Sequence, residues 1–228
     1  MRVLVFDTET TGLPKSKIMN QETLHLWPHI VQFSYIIYDT DTNTFLSTSD
    51  KIVKMCDNVS IPEESTKIHG ITNQNSQLKG INITDILDDF FKDLMKIDLL
   101  VGHNVAFDLN ILKIELLRII YANEKNVLKS FKKYFHFIIN FKNICCTLQD
   151  SIQLCNIKAL DKHGKTYLKF PKLTELHEKL FSTVPNNLHN SLNDVVVTLR
   201  CFMKLKYDID IYEKSNMFIS LVNKLCIL

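Results

Sequence analysis

The spacing of apolar residues separates a strand-like beginning from a largely helical remainder. Residues 2–6 form a short apolar, β-branched run that ends at Asp7, and the turn residues Thr11, Gly12, Leu13 and Pro14 follow, the pattern of a central strand. Residues 30–38 and 45–54 are strand-like as well. The Asp, Asn and Thr residues of 39–44 predict a hairpin between them, which makes the first three strands antiparallel. Helical spacing begins with Ile83, Ile86, Leu87, Phe90, Phe91 and Leu94; residues 98–102 then read as a short strand and 105–121 as a second helix. A further strand is predicted at 141–147, with helical segments at 148–157 and 173–181. A final helix carries Leu192, Val195, Val196, Leu199, Phe202 and Met203 along one stripe. Strands followed by alternating strands and helices imply an α/β fold, one mixed sheet covered by helices.

Bulk properties narrow this picture only a little. The chain of 228 residues, 46% hydrophobic, can bury one substantial core, and its even composition predicts a single domain, a core of about 1–205 followed by a tail at 206–228. A net charge of +2 and a pI near 8.1 fall short of the pI above roughly 9 that marks many nucleic-acid-binding domains, so charge alone decides little. The six cysteines (Cys56, Cys145, Cys146, Cys155, Cys201 and Cys226) show no CxxC spacing and are expected to be reduced, mostly buried thiols. Met1 and Arg2 lead straight into a strand pattern, and no stretch has the length of a membrane helix, so a soluble, intracellular protein, cytoplasmic or nuclear, with no membrane partner is expected. There is no internal repeat, low-complexity tract or linker. Residues 218–228 are an apolar tail that would pack either on the core or on another subunit.

Three polar clusters punctuate the apolar pattern. Asp7 and Glu9 stand two apart at the end of a strand, where alternate side chains share a face, so two carboxylates converge. Such a pair repels unless protonated or bridged by a hard cation, and Mg²⁺ favours a few carboxylates with waters and phosphate oxygens. A solvated Asp-Thr-Glu turn would look the same in isolation. The second cluster, from Gly102 to Asp108, lies between a strand and a helix; Asn104 suits an N-cap, and Asp108 falls in the first turn, where negative charge is favoured. A well-capped helix needs no more than that, and Phe107 alone reads as core. The third cluster, from His189 to Asp194, opens the last helix, with Asp194 about 140° from the centre of the apolar stripe.

Together the clusters resemble a known family. Phe6-Asp7-Thr8-Glu9-Thr10-Thr11-Gly12-Leu13, Gly102-His103-Asn104-Val105-Ala106-Phe107-Asp108, and His189 with Asp194 five residues on are similar, in this order, to the three motifs of the DnaQ-like, DEDDh-type 3′-to-5′ exonucleases. Ile61-Pro62 with Ile68-His69-Gly70-Ile71-Thr72, and Pro171-Lys172-Leu173-Thr174-Glu175-Leu176, resemble the segments that precede the second and third motifs, so the likeness spans about 1–205. The resemblance implies a ribonuclease-H-like fold: a five-stranded mixed sheet, three strands antiparallel and then two parallel, flanked by helices. It implies that Asp7 bridges two Mg²⁺ ions, which Mn²⁺ would replace, that Glu9 and Asp194 complete the site of the ion that activates water, and that Asp108 holds the second ion directly or through water. His189 would be the general base. By the same resemblance Thr8, Thr10 and Leu13 would line the terminal-nucleotide pocket, with His69, Asn104 and Phe107 contacting its sugar, phosphate or base; His69 reads equally as a turn residue.

The chemistry is consistent on independent grounds. Phosphodiester hydrolysis needs an attacking hydroxide, in-line geometry and relief of charge on the leaving oxygen, which two cations about 3.5–4 Å apart can serve. A neutral imidazole, with an ordinary pKa of about 6.5, accepts a proton near neutral pH. The expected activity is release of nucleoside 5′-monophosphates from single-stranded or frayed 3′ ends, DNA favoured over RNA, in proofreading or repair. RNA trimming is the alternative, since one contact to a 2′-hydroxyl would decide it. An inactive nucleic-acid-binding module, or a polymerase-associated or homo-oligomeric subunit, is the reading of another class. Two basic stretches add a footprint for a strand: Lys125, Lys129, Lys132 and Lys133 ahead of Tyr134, Phe135 and Phe137, and Lys158, Lys162, Lys165, Lys169 and Lys172; solvated loops explain such lysines as well.

Overall fold

A computed structural model describes residues 1–122 and 128–228. Its main sheet contains β1 (Arg2–Thr10), β2 (Ile30–Asp39), β3 (Thr44–Ile52), β4 (Leu99–Gly102) and β5 (Ile144–Cys146) in the order β3-β2-β1-β4-β5. β1 pairs antiparallel with β2, and β2 with β3, whereas β4 runs parallel to β1 and β5 parallel to β4. This is the mixed five-stranded sheet expected from the sequence. Strand alternation sorts the side chains of β1 and β2 onto two faces. Leu4 and Phe6, with Phe33 and Tyr35, pack under α3 (Ile83–Leu94) and α4 (Val105–Ala122); Val3 and Val5, with Ile36 and Tyr38, pack under α9 (Ser191–Tyr207).

The polar stretches of the chain hold more regular structure than their composition suggests. α1 (Glu63–His69) ends at Gly70 in the left-handed region (φ 74), and α2 (Asn73–Lys79) starts at Thr72, whose hydroxyl accepts from the Asn75 amide. α5 (Leu128–Asn140) buries Phe131, Tyr134 and Ile138 and leaves Lys129, Lys132 and Lys133 in solvent. Its aromatics therefore face the core and do not interleave with the lysines on one surface; Lys125 lies outside the described residues. α6 (Thr147–Asp150) and α7 (Ile152–Cys155) follow β5, and then a two-stranded hairpin, β6 (Lys158–Leu160) and β7 (Thr166–Leu168), occupies the second basic stretch. α8 (Leu173–Phe181) packs on α9, and α10 (Ile211–Lys214) and α11 (Asn216–Leu225) close the chain. The apolar tail lies on the protein's own core: Phe218, Val222 and Ile227 are buried with the α9 face. All six cysteines are free thiols, but only Cys145 and Cys201 are buried, fewer than expected. Among the described residues no helix is long and apolar enough to cross a membrane.

Candidate active site

The face segregation of β1 builds the site. Asp7 and Glu9 continue the row of Val3 and Val5, so they point to the α9 side, where Asp194 in the first turn of α9 meets them. Ligand atoms of these three carboxylates lie within 4.8 Å of one another. Thr8 points to the other face, that of Leu4 and Phe6, and meets Asp108 in the first turn of α4. Oδ1 of Asp108 accepts from the Thr8 hydroxyl at 2.7 Å and from the Thr8 amide at 3.1 Å. The pairing of β1 with β2 shifts register between Glu9 and Thr10, which ends the regular ladder at the carboxylates.

No basic side chain neutralises this cluster among the described ion pairs; burial and mutual repulsion shape its titration. Burial first, then Asp108, Asp194 and Glu9, hold the Asp7 carboxyl well above the usual carboxylate range. Glu9 is pushed up to about 8 by burial and by Asp194 and Asp108. Asp108 and Asp194 rise to about 7, burial outweighing the hydrogen bonds from Thr8 in one case and the His189 amide in the other. Converging, half-buried oxygens with no counter-charge are a donor set that a hard divalent cation fits. Asp7, Glu9 and Asp194 would hold such an ion, with Asp108 beside them.

His189 reaches the cluster through its backbone. Its amide donates to Oδ2 of Asp194 at 2.9 Å, its own backbone is left-handed (φ 67), and its side chain is exposed. The start of α9 is fixed by groups that the sequence reading passed over. The Ser191 amide donates to Oε1 of Gln32 at 3.2 Å, the Ser191 and Ser34 hydroxyls are hydrogen-bonded, and both Gln32 and Ser34 donate to Oδ1 of Asp50 at 2.8 Å. The signal was present: Gln32 and Ser34 are two polar residues in step on the α9 face of an otherwise apolar strand.

The remaining candidates surround the end of β1. Thr10 donates its hydroxyl to the Gly12 carbonyl at 2.7 Å, and Leu13 in the following turn is 78% exposed. His69 is buried; Nδ1 accepts from the Ile71 amide at 3.1 Å, which leaves the proton on Nε2. That Nε2 completes no hydrogen bond, although the Thr10 carbonyl lies near enough to favour the charged ring against the burial that lowers its pKa. Asn104 precedes α4 in a left-handed conformation (φ 67), with its carbonyl accepting from the Phe107 amide at 2.9 Å, so the helix start is closed through backbone and not through the expected side chain. Phe107 is half-buried against the core.

A family model described as exonuclease, of the RNase T type, matches residues 4–202. The chain belongs to this DnaQ-like exonuclease family. Its fold is similar to Escherichia coli exonuclease I, solved with a dT13 oligonucleotide, at a TM-score of 0.59 and 19% identity over 89% of this chain and 41% of that one. A second exonuclease I structure gives 0.61 and 19% over 97% and 43%, and the moderately thermophilic enzyme of Methylocaldum szegediense 0.55 and 16% over 93% and 42%. The exonuclease-family chain thus spans less than half the length of these structural neighbours. None of the curated protein sequences matches it.

Proposed function

We propose that this exonuclease-family chain is a metal-dependent 3′-to-5′ exonuclease that releases nucleoside 5′-monophosphates, acting on single-stranded or frayed DNA ends in proofreading or repair. The observation that carries the reading is the convergence of Asp7, Glu9 and Asp194, with Asp108 held alongside by Thr8. Two Mg²⁺ or Mn²⁺ ions bound there would supply charge relief to the attacking and leaving oxygens. The chain's own part is orientation and proton transfer. Thr8 fixes the rotamer of Asp108, the His189 amide fixes that of Asp194, and the exposed His189 imidazole takes the proton of the attacking water. Leu13, Asn104 and Phe107, together with Thr10 and His69, would receive the terminal nucleotide; support comes from the exposure of Leu13 and Asn104 near the end of β1. DNA is favoured because the similar exonuclease I structures include complexes with dT13 and dA16 oligonucleotides.

The test is digestion of matched DNA and RNA strands, labelled at the 5′ or the 3′ end, with Mg²⁺, Mn²⁺ or chelator. Mononucleotides should appear from the 3′ end only with metal, and Asp7→Asn and His189→Ala should each lower the rate by at least about a hundredfold. Absence of metal-dependent release, or full activity in Asp7→Asn, would overturn the assignment. Faster trimming of the RNA strand would move the substrate class.

A further inference from the structure

Among the described residues, the hairpin between α7 and α8 combines exposed apolar side chains with strong positive charge and has no part in the carboxylate site. Its strands pair Lys158 with Leu168, Ala159 with Tyr167 and Leu160 with Thr166, and its turn is closed by Oδ1 of Asp161, which accepts the amides of His163 at 2.8 Å and Lys165 at 2.9 Å. An isolated two-stranded hairpin is marginal in water and ordinarily needs a covered face. This one exposes Leu160 (68%), Tyr167 (49%) and Phe170 (62%). Residues 158–172 hold five lysines against one aspartate, Asp161, whose carboxylate is taken up by the turn. Lys169 pairs with Glu175 at 2.6 Å, whereas Lys158, Lys162 and Lys165 are exposed and without an ion pair among the described residues.

Its position is fixed relative to the carboxylates. The imidazole of His103 accepts the Thr147 hydroxyl at Nδ1 (3.0 Å) and donates from Nε2 to the Pro171 carbonyl (3.1 Å). Burial pushes the ring's pKa down to about 4, which keeps it neutral in that role. His103 follows directly on β4, next to Asn104, on the edge where the parallel strands β1, β4 and β5 all end. The hairpin thus rises from the same edge that carries Asp7 and Glu9.

We propose that the hairpin is a docking platform for the single strand behind the scissile bond, Tyr167 and Phe170 stacking on bases while Lys158, Lys162 and Lys165 take phosphates. The inference rests on the exonuclease reading. Charge selects the occupant. Interface cores of protein partners are depleted in lysine, and a second copy would bring an equally basic hairpin against this one. A single strand offers phosphates for the ammonium groups and flat bases for the rings, with no demand on sequence.

The test measures fluorescence anisotropy of labelled oligothymidylates of three and twelve nucleotides, from low to moderate salt, on the full chain carrying Asp7→Asn so that strands stay intact. Combined Lys158→Gln, Lys162→Gln and Lys165→Gln should flatten the log-affinity against log-salt slope for the twelve-mer by about 2, at roughly 0.7 per phosphate contact on a single strand. Combined Tyr167→Ala and Phe170→Ala should weaken twelve-mer binding about tenfold with the slope unchanged. Both sets should erase most of the gain in affinity from three to twelve nucleotides. Unchanged twelve-mer affinity and slope in both sets would overturn the platform. So would an equal loss on the trimer, or concentration-dependent dimerisation that Phe170→Ala abolishes. If the original chain binds strands but releases no mononucleotides, the exonuclease reading fails alone; if it hydrolyses and the hairpin variants bind as before, the platform fails alone.

Discussion

The hydroxyl of Thr8 donates to Oδ1 of Asp108 at 2.7 Å, across one hundred residues of sequence and from one sheet strand to the first turn of a helix. A second donor, the Thr8 amide, reaches the same oxygen at 3.1 Å. Both bonds stabilise the ionised carboxyl and oppose the burial that raises its pKa. They leave Oδ2 free of these contacts and available to the proposed ion. Thr8→Val keeps the shape and removes the hydroxyl. Losing an outer-shell partner typically costs about 10–100-fold in metal affinity or activity. The expected outcome is a rise of about tenfold in the Mg²⁺ concentration for half-maximal hydrolysis, with Thr8→Ser close to the original chain. An unchanged metal requirement would reduce Thr8 to a packing residue.

The uncompensated carboxylates make stability depend on pH in an unusual direction. Folding raises Glu9 to about 8 and Asp108 and Asp194 to about 7. The folded state therefore binds these protons more tightly than the unfolded state, whose carboxyls titrate near 4, and stability falls as pH rises through the folded values. The histidines His69, His103 and His177, all lowered by burial, contribute in the opposite direction, and that contribution levels off as pH passes their ordinary value of about 6.5. In chelator, urea unfolding should show stability declining between about pH 6.5 and 8. Asp7→Asn removes one carboxylate from the repulsion and should flatten the decline. Mg²⁺ at a hundred times its dissociation constant should add about 2.7 kcal/mol to the original chain and less to Asp7→Asn. A stability that rises with pH in chelator would show that the cluster is not repulsive.

Strand alternation made the convergence of Asp7 and Glu9 legible, because a period of two is fixed by the backbone and needs no knowledge of the partner. The partner face was not legible: that Thr8 meets α4 while Asp7 meets α9 depends on which helix covers which side of the sheet, a fact of topology. The same limit hid Ser34 and Ser191, which touch across 157 residues. Local signals failed where elements are short. α1 and α2, seven residues each, hold few apolar positions and are set by their caps, and β6 and β7 pair over three residues with no core behind them. In α5 the spacing of Phe131, Tyr134 and Ile138 is a helical stripe, but the lysines between them mimic a basic-aromatic surface. The long strands and α3, α4, α8 and α9 were readable because each presents several turns or pleats of consistent period.

A buried ion pair secures the loop that follows β1. Glu115 in α4, 4% exposed, accepts from Arg118 at 2.7 Å and from the Ile30 amide at 3.2 Å, and Arg118 also donates to the carbonyls of Leu24, Trp27 and Pro28. Arg118→Ala strands a buried carboxylate and three carbonyls and should cost about 3–5 kcal/mol in urea unfolding. Glu115→Gln retains an acceptor for the guanidinium and should cost less. Although burial opposes ionisation, the His29, Arg118 and Ile30 contacts win and hold the Glu115 carboxyl below its ordinary value. Its stabilisation is therefore present above about pH 4.5 and lost as pH falls through the depressed pKa, a dependence that Glu115→Gln should remove.

The last residues of α11 and those that follow bear on the segment of His189, the proposed base. Ile227 is fully buried with the α9 face, its carbonyl accepts from the Asn186 amide at 2.7 Å, and the Cys226 carbonyl accepts from the Asn187 side chain at 3.0 Å. Asn187 in turn accepts, at its carbonyl, from the Asn193 amide group at 2.6 Å, one residue before Asp194. The segment that delivers His189 is thus held between the tail and the first turn of α9. Ile227→Ala should cost about 2–5 kcal/mol through the cavity it leaves, since a packed interior relaxes only in part. The loosening should be local as well as global: exchange of the Asn186 amide should accelerate more than that of amides in β1, and kcat should fall with KM nearly constant. Uniform acceleration of exchange across both segments, with kcat and KM unchanged after correction for the unfolded fraction, would separate the tail from the position of His189.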